Sequence, residues 1–223
     1  MESVEYIVVR KKIPWGFIAL NRPLKANAYS SSMIASMDQA LNNYLNDDNV
    51  LGIAIISEKP GIFCGGADLT EIAQRTPEDA EKLPSAALFD RFRVYPKPIV
   101  VVIDGPAVGG GCEMVLACDY RLATSRARFA FPETALGILP AAGGLSRLPA
   151  AIGRNLATEM IFLGRELNAE EPFIAGLTNE GLSSAQFDER LEDLRGIIRH
   201  RRPNVIELAK KALSMSVGSE EQA

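Results

Sequence analysis

The run Asp104-Gly105-Pro106-Ala107-Val108-Gly109-Gly110-Gly111-Cys112-Glu113 constrains this chain more than any other. It joins the apolar stretch from Ile99 to Ile103 to the apolar stretch from Met114 to Ala117 through three consecutive glycines and a glutamate. A strand must stop there, turn without side chains and restart as a helix. Residues without Cβ atoms let the backbone approach a ligand and leave the first amides of the helix unshielded. Those amides carry the positive end of the helix dipole, so the turn suits an anionic oxygen. Glu113 then stands beside that oxygen as an acid or a base. Taken alone, a glycine turn serves packing as well as binding, and a first-turn acid merely complements the dipole.

A second turn repeats the design. Leu51 to Ile56 is a short continuous apolar run, fit for a strand buried on both faces. It leads through Gly61-Ile62-Phe63-Cys64-Gly65-Gly66-Ala67-Asp68 into a helix from about Leu69. In open α/β folds ligands bind at the carboxyl ends of strands. One N–H from each loop can therefore converge on a single oxygen, the two-donor geometry that stabilises an enolate or a tetrahedral anion. Glu133 follows Phe131-Pro132 at the end of another short apolar run. Two carboxylates near one anion site can hold a water between them, one taking its proton and the other delivering a proton to carbon.

Elsewhere, Val4, Tyr6 and Val8 alternate with polar residues, and with Trp15 to Leu20 they predict a hairpin. Ser30 to Ser32 can cap a helix that carries Met33, Met37, Leu41 and Tyr44 on one face. Residues 74–94, with Pro77 and Pro84, read as a helix or a mobile loop, and Leu88, Phe89 and Phe92 as pocket lining or core. Tyr120 to Ala123 and Ala127 to Phe131 read as strands, and Gly143-Gly144 as the start of a helical stretch that runs on from Pro149 to Leu163. From Asn168 onward the pattern predicts helix throughout. Phe187, Leu191, Leu194 and Ile198 form one apolar face, and Val205, Leu208 and Ala212 another. Alternating strands and helices followed by helices argue an α/β fold.

At 223 residues the chain fits one domain, with a core region over 1–165 and a short helical C-terminal region over 166–223. A net charge of −4, from 28 acidic and 24 basic residues, gives no footprint for nucleic acid. The basic run Arg199-His200-Arg201-Arg202 reads as a solvated helix end, or else as a contact for a phosphorylated ligand. Cys64, Cys112 and Cys118 lack metal-ligand spacing and suit buried thiols in a reducing compartment. No signal peptide or membrane-length apolar run is visible, so a soluble, cytoplasmic protein without a metal site is expected. The single histidine, His200, argues against a Ser-His-Asp hydrolase.

The motif from Gly105 to Glu113, followed by Ala117-Cys118-Asp119, resembles the signature of the enoyl-CoA hydratase/isomerase (crotonase) superfamily. The likeness extends in order through Asn21-Arg22-Pro23, Asn27-Ala28, Phe63 to Leu69, Phe131-Pro132-Glu133 and Gly137-Ile138-Leu139-Pro140. It continues through Gly143-Gly144, Arg147-Leu148-Pro149, Gly164 to Leu167, Ala169-Glu170-Glu171 and Gly176 to Glu180. The resemblance implies a crotonase-like ββα spiral core, a helical C-terminal region and acyl-CoA ligands. It places the oxyanion amides on Ala67 and Gly110 and the catalytic carboxylates on Glu113 and Glu133. Lys25, Ala26, Ala28, Cys64, Gly65, Gly66, Asp68, Leu69 and Gly109 are implied as substrate and CoA contacts. Retention of both glutamates implies an enoyl-CoA hydratase, with no cofactor beyond the coenzyme A of the substrate.

The family also implies a homo-oligomer, trimer or hexamer, acting in fatty acid metabolism. Members carry further helices after one like Pro203 to Met215, whereas this sequence stops at Ala223. The expectation is a shortened C-terminus, which leaves the cover over the site, part of the CoA phosphate contact and the trimer packing open. It also admits a dehydratase, isomerase or decarboxylase working on a carrier-protein-bound acyl group in a biosynthetic pathway. A non-catalytic crotonase-like partner subunit is the remaining alternative.

Overall fold

The continuous Val- and Ile-rich runs become the strands of one sheet with both faces covered. The computed structural model describes residues 5–76, 79, 82–168, 170, 171 and 175–218. Among them the strands are β1 (Ile7–Lys12), β2 (Trp15–Leu20), β3 (Gly52–Ser57), β4 (Ile99–Ile103), β5 (Pro106–Val108), β6 (Tyr120–Thr124), β7 (Arg128–Ala130) and β8 (Glu180–Leu182). The helices are α1 (Ser31–Leu45), α2 (Leu69–Ile72), α3 (Pro84–Val94), α4 (Gly110–Ala117), α5 (Gly144–Ile152), α6 (Arg154–Leu163), α7 (Phe187–Arg199) and α8 (Pro203–Gly218). The main sheet has the order β1-β2-β3-β4-β6-β8, and β5 pairs with β7 in a separate two-stranded ladder. The hairpin β1–β2 is antiparallel, and the other pairs are parallel.

Successive strand residues point to opposite faces. Ile53, Ile55, Ile99, Val101 and Ile103 pack with Met37, Leu41, Phe89 and Phe92 in the larger cluster, which α1, α3 and α4 cover. Trp15, Ala54, Ile56, Val100 and Val102 join Leu191 and Leu194 of α7 on the other side. The Trp15 Nε1 donates to the Leu191 carbonyl at 3.1 Å, which locks α7 to the sheet. Cys64, Cys112 and Cys118 are buried free thiols.

Three expectations change. β1 buries Ile7, while Tyr6 is 42% exposed and Val4 lies outside the described residues. An edge strand is covered only where a helix reaches it, so local alternation does not choose the face. The C-terminal region is helical apart from β8, whose ladder to β6 is reinforced by Asn179 Oδ1 accepting from the Arg121 N–H at 2.8 Å. That pairing is non-local and leaves no mark on helical periodicity.

Helix α8 also turns the other way. Val205, Leu208 and Ala212 face solvent, while Lys210 is buried. Its ammonium donates to Asp119 Oδ2 at 2.6 Å, to the Phe92 carbonyl at 3.1 Å and to the Lys97 carbonyl at 3.0 Å. A cluster of acceptors at this seam demands a cation, and that outweighs the modest apolar stripe. Removing one partner of such a pair strands the other, at a cost of about 3 kcal/mol. Lys210→Met should therefore lower unfolding stability in urea by about that amount. The exposed pair Lys211–Glu207 should cost less than ~0.5 kcal/mol when Lys211→Met breaks it.

Candidate active site

Three segments are laced together at the carboxyl ends of β3 and β4. The Cys64 N–H donates to the Pro106 carbonyl at 3.0 Å, and the Val108 N–H returns to the Cys64 carbonyl at 2.9 Å. The Gly65 N–H donates to Ala26 at 2.8 Å, Tyr29 to Gly66 at 2.8 Å and Asp68 to Tyr29 at 2.9 Å. Backbones this close leave no room for side chains. A Cβ on Gly66 would lie 2.8 Å from the Val108 carbonyl and 3.3 Å from the Gly110 nitrogen, and its φ is +92°. The two glycine turns therefore meet edge to edge. Among the described residues the Ala67 and Gly110 N–H groups have no backbone acceptor, and both residues line a cavity of about 520 Å³.

Glu113 and Glu133 line the same cavity with 3% and 7% exposure. Glu113 sits in the first turn of α4, where Oε1 accepts from the Ala142 N–H at 2.7 Å and the Gly144 N–H at 2.8 Å. Burial pushes its pKa up, while those two amides and the nearby Arg147 guanidinium favour the ionised form. Arg147 is itself buried, donating to the Ala142 carbonyl at 2.8 Å and pairing with Asp90. It thus fixes the loop whose amides hold Glu113.

Glu133 opens a 3-10 turn, Glu133–Leu136, directly after Pro132. Its Oε2 is buried without a hydrogen-bond partner among the described residues. Burial, with the charge of Glu113 adding to it, raises its pKa to about 7. Burial disfavours the charge of both carboxyl groups, and two amides and a guanidinium offset it at Glu113, an arrangement suited to acid–base chemistry.

The structure brings Gly65, Gly66, Ala67, Leu69, Gly109, Gly110, Glu113 and Glu133 to one cavity. Other expected contacts stand around it. Cys64 is wholly buried and contributes its backbone to the lacing; Asp68 caps α2 through the Thr70 N–H at 2.9 Å and pairs with Arg22 at 2.6 Å. Lys25 and Ala26 are exposed at the edge of the Gly65 loop, and Ala28 is half-buried. Residues 84–94 form α3, with Leu88, Phe89 and Phe92 in the core, and Leu83 and Ser85 reach the cavity instead. Phe89 is committed inward by an edge-to-face contact with Tyr29 at 5.9 Å. Arg199 at the end of α7 and Arg201 and Arg202 beyond it are exposed and do not line the cavity.

Sequence reasoning missed Tyr29, Arg75 and Ser85 as lining, and the buried roles of Asn27 and Arg147. Asn27 adopts φ +54°, accepts from the Arg22 N–H at 2.7 Å and donates to Ser57 Oγ and the Phe63 carbonyl, each at 2.9 Å. An Asn beside Gly-free turn residues was the available signal, since Asn tolerates this backbone region. Among the described residues no group of His, Cys, Asp and Glu could hold a metal ion, and no helix is long and apolar enough to cross a membrane.

Fold and site together define an enzyme of the crotonase superfamily, a mixed α/β framework with a helical C-terminal region. Residues 15–223 match the family model described as enoyl-CoA hydratase/isomerase, and the chain belongs to that family. It is 30% identical over 210 residues to the short-chain-enoyl-CoA hydratase of Clostridium acetobutylicum, covering 93% of this chain and 80% of that one. It is 40% identical over 171 residues to the mitochondrial methylglutaconyl-CoA hydratase of Homo sapiens, covering 76% of this chain and half (50%) of that one. A crystal structure of an enoyl-CoA hydratase from Bacillus anthracis superposes with a TM-score of 0.87 at 31% identity, over 94% of this chain and 83% of that one.

Gly109 tests the tightness of the site. Its φ is +52°, and a Cβ there would lie 2.6 Å from Glu133 Oε1. Displacements of about 1 Å at catalytic groups cost on the order of 10²-fold. Gly109→Ala should lower turnover by about that factor while the far-ultraviolet circular dichroism spectrum stays unchanged.

Proposed function

We propose that the protein is an enoyl-CoA hydratase, adding water reversibly across the double bond of a trans-2-enoyl-CoA to give a 3-hydroxyacyl-CoA. The observation that carries this reading is the asymmetry of the two carboxyl groups. Glu113 has two amide donors on one oxygen, and Glu133 has a buried, unpartnered oxygen and a pKa near 7. Hydration needs one base and one acid on opposite sides of a water, and this pair supplies both.

The thioester carbonyl accepts from the Ala67 and Gly110 amides, which stabilise the enolate that forms as the water oxygen bonds to C3. Each such donor contributes roughly 3 kcal/mol to the transition state. Glu113 takes one proton from the water, and Glu133 delivers its carboxyl proton to C2. Water then returns the proton from Glu113 to Glu133 and restores the resting pair. No cofactor takes part beyond the coenzyme A that arrives with the substrate. Lys25, Ala26, Ala28 and Asp68 flank the carrier end of the thioester, and the cytoplasm is the expected setting.

Crotonyl-CoA hydration, followed as loss of the enone absorbance, tests the reading. Glu113→Gln and Glu133→Gln should each lower kcat by 10²- to 10⁴-fold; full activity in both would sink the mechanism. The pH profile carries a sign. Glu133 must be protonated to act as the acid, and its pKa stands near 7. kcat/KM for hydration should therefore fall about tenfold per pH unit above that value. A rate that rises through pH 8 would assign the acid elsewhere.

A further inference from the structure

The walls of the cavity beyond the two glutamates are mostly apolar, with Leu69, Ile72, Leu83, Leu136, Ile138 and Leu139 supplying them. Four polar side chains break that pattern: Tyr29, Arg75, Thr76 and Ser85. None of them is needed for adding water to a double bond.

Tyr29 stands at the reacting end. A Cβ on Gly110 would overlap its hydroxyl, which places the phenol oxygen against the oxyanion turn. Its ring is fixed by the contact with Phe89 at 5.9 Å and 88°. The charges of Glu113 and Arg75 both reach the phenol, and the Ser85 hydroxyl lies beside it. The phenol thus lies in the field of both the carboxylate pair and the guanidinium. Burial holds its pKa far above the ordinary tyrosine value, so it remains a neutral donor.

Arg75 is half-buried, and among the described residues its side chain makes no hydrogen bond and no ion pair. Its charge is felt by Asp79, whose carboxylate is already engaged by the N–H and hydroxyl of Thr76 at 2.9 and 3.0 Å. A guanidinium is always charged and offers a planar fork of donors that matches a carboxylate. On the rim of an apolar cavity such a fork is placed to receive the carboxylate of a ligand.

The geometry points to an acyl group that carries a second carboxylate: Arg75 receives that terminal carboxylate, with Tyr29 and Ser85 as neutral donors along the way. This deepens the hydratase reading and rests on it for the direction of the acyl chain. From the carbonyl at Ala67 and Gly110, C2 and C3 pass the two glutamates. The remaining carbons run along the wall that Tyr29, Ser85 and Arg75 share. A neutral alkyl tail would bring no anion to the Arg75 guanidinium, whereas a dicarboxylic monothioester supplies one.

Binding of saturated thioesters tests this without any turnover. Glutaryl-CoA against pentanoyl-CoA, and adipyl-CoA against hexanoyl-CoA, are compared by calorimetry on the full chain. The dicarboxylic member of at least one pair should bind tenfold or more tightly, with the ratio falling to about one in Arg75→Met and partly restored in Arg75→Lys. Tyr29→Phe should lower the ratio by a smaller factor. Equal or weaker binding of both dicarboxylic thioesters, or a ratio that Arg75→Met leaves intact, overturns the proposal. The unsaturated analogues separate it from the hydratase reading. Failure to hydrate both crotonyl-CoA and glutaconyl-CoA overturns that reading, while the binding ratios still decide the role of Arg75.

Discussion

The burial of two carboxyl groups in one cavity is the interaction on which the rest of the site depends. Each would be excluded from such a place unless its charge were stabilised or neutralised. For Glu113 the answer is a pair of amides, from Ala142 and Gly144, at the entry to α5. Arg147 grips the carbonyl of Ala142 from below and ties the loop to Asp90 on α3. For Glu133 the answer is a raised pKa and an oxygen that waits for a partner. Two identical side chains thus meet different surroundings in one cavity.

A site of that kind needs a frame that does not yield. The parallel sheet, apolar on both faces, supplies it, with α7 closing one side through Trp15 and α1, α3 and α4 closing the other. The turns after β3 and around β5 inherit the rigidity of the strands and are cross-laced by backbone hydrogen bonds. Their free amides are therefore preorganised rather than gathered by the ligand, the condition under which such dipoles act most strongly. Lys210 extends the same logic to α8, where a buried ion pair with Asp119 fixes a helix whose apolar stripe faces outward.

The glycine turns and the two glutamates of the cavity were legible because they are written in short runs of consecutive residues. Glycines that admit close backbone approach, an acid in the first helical turn and a second acid after Phe131-Pro132 need no tertiary knowledge to be noticed. The polar lining beyond them was not. Tyr29 follows an ordinary Asn-Ala pair, Ser85 sits behind a proline and Arg75 lies in a polar stretch. Nothing local distinguishes them from surface residues. The same limit reversed the expectation for α8 and hid β8, since a partner such as Asp119 or β6 lies far away in sequence.

The sequence by itself determined the α/β alternation, the two strand-to-helix turns and the four residues Ala67, Gly110, Glu113 and Glu133 that meet in the cavity. Backbone conformation and charge placement are properties of short segments, and short segments carry them openly. Only the tertiary structure decided which carboxyl group receives the amide donors, which side chains line the cavity and which face of the last helix looks inward. Those depend on burial and on partners brought together across tens of residues. A side chain's pKa, exposure and neighbours exist only once the chain has closed around it.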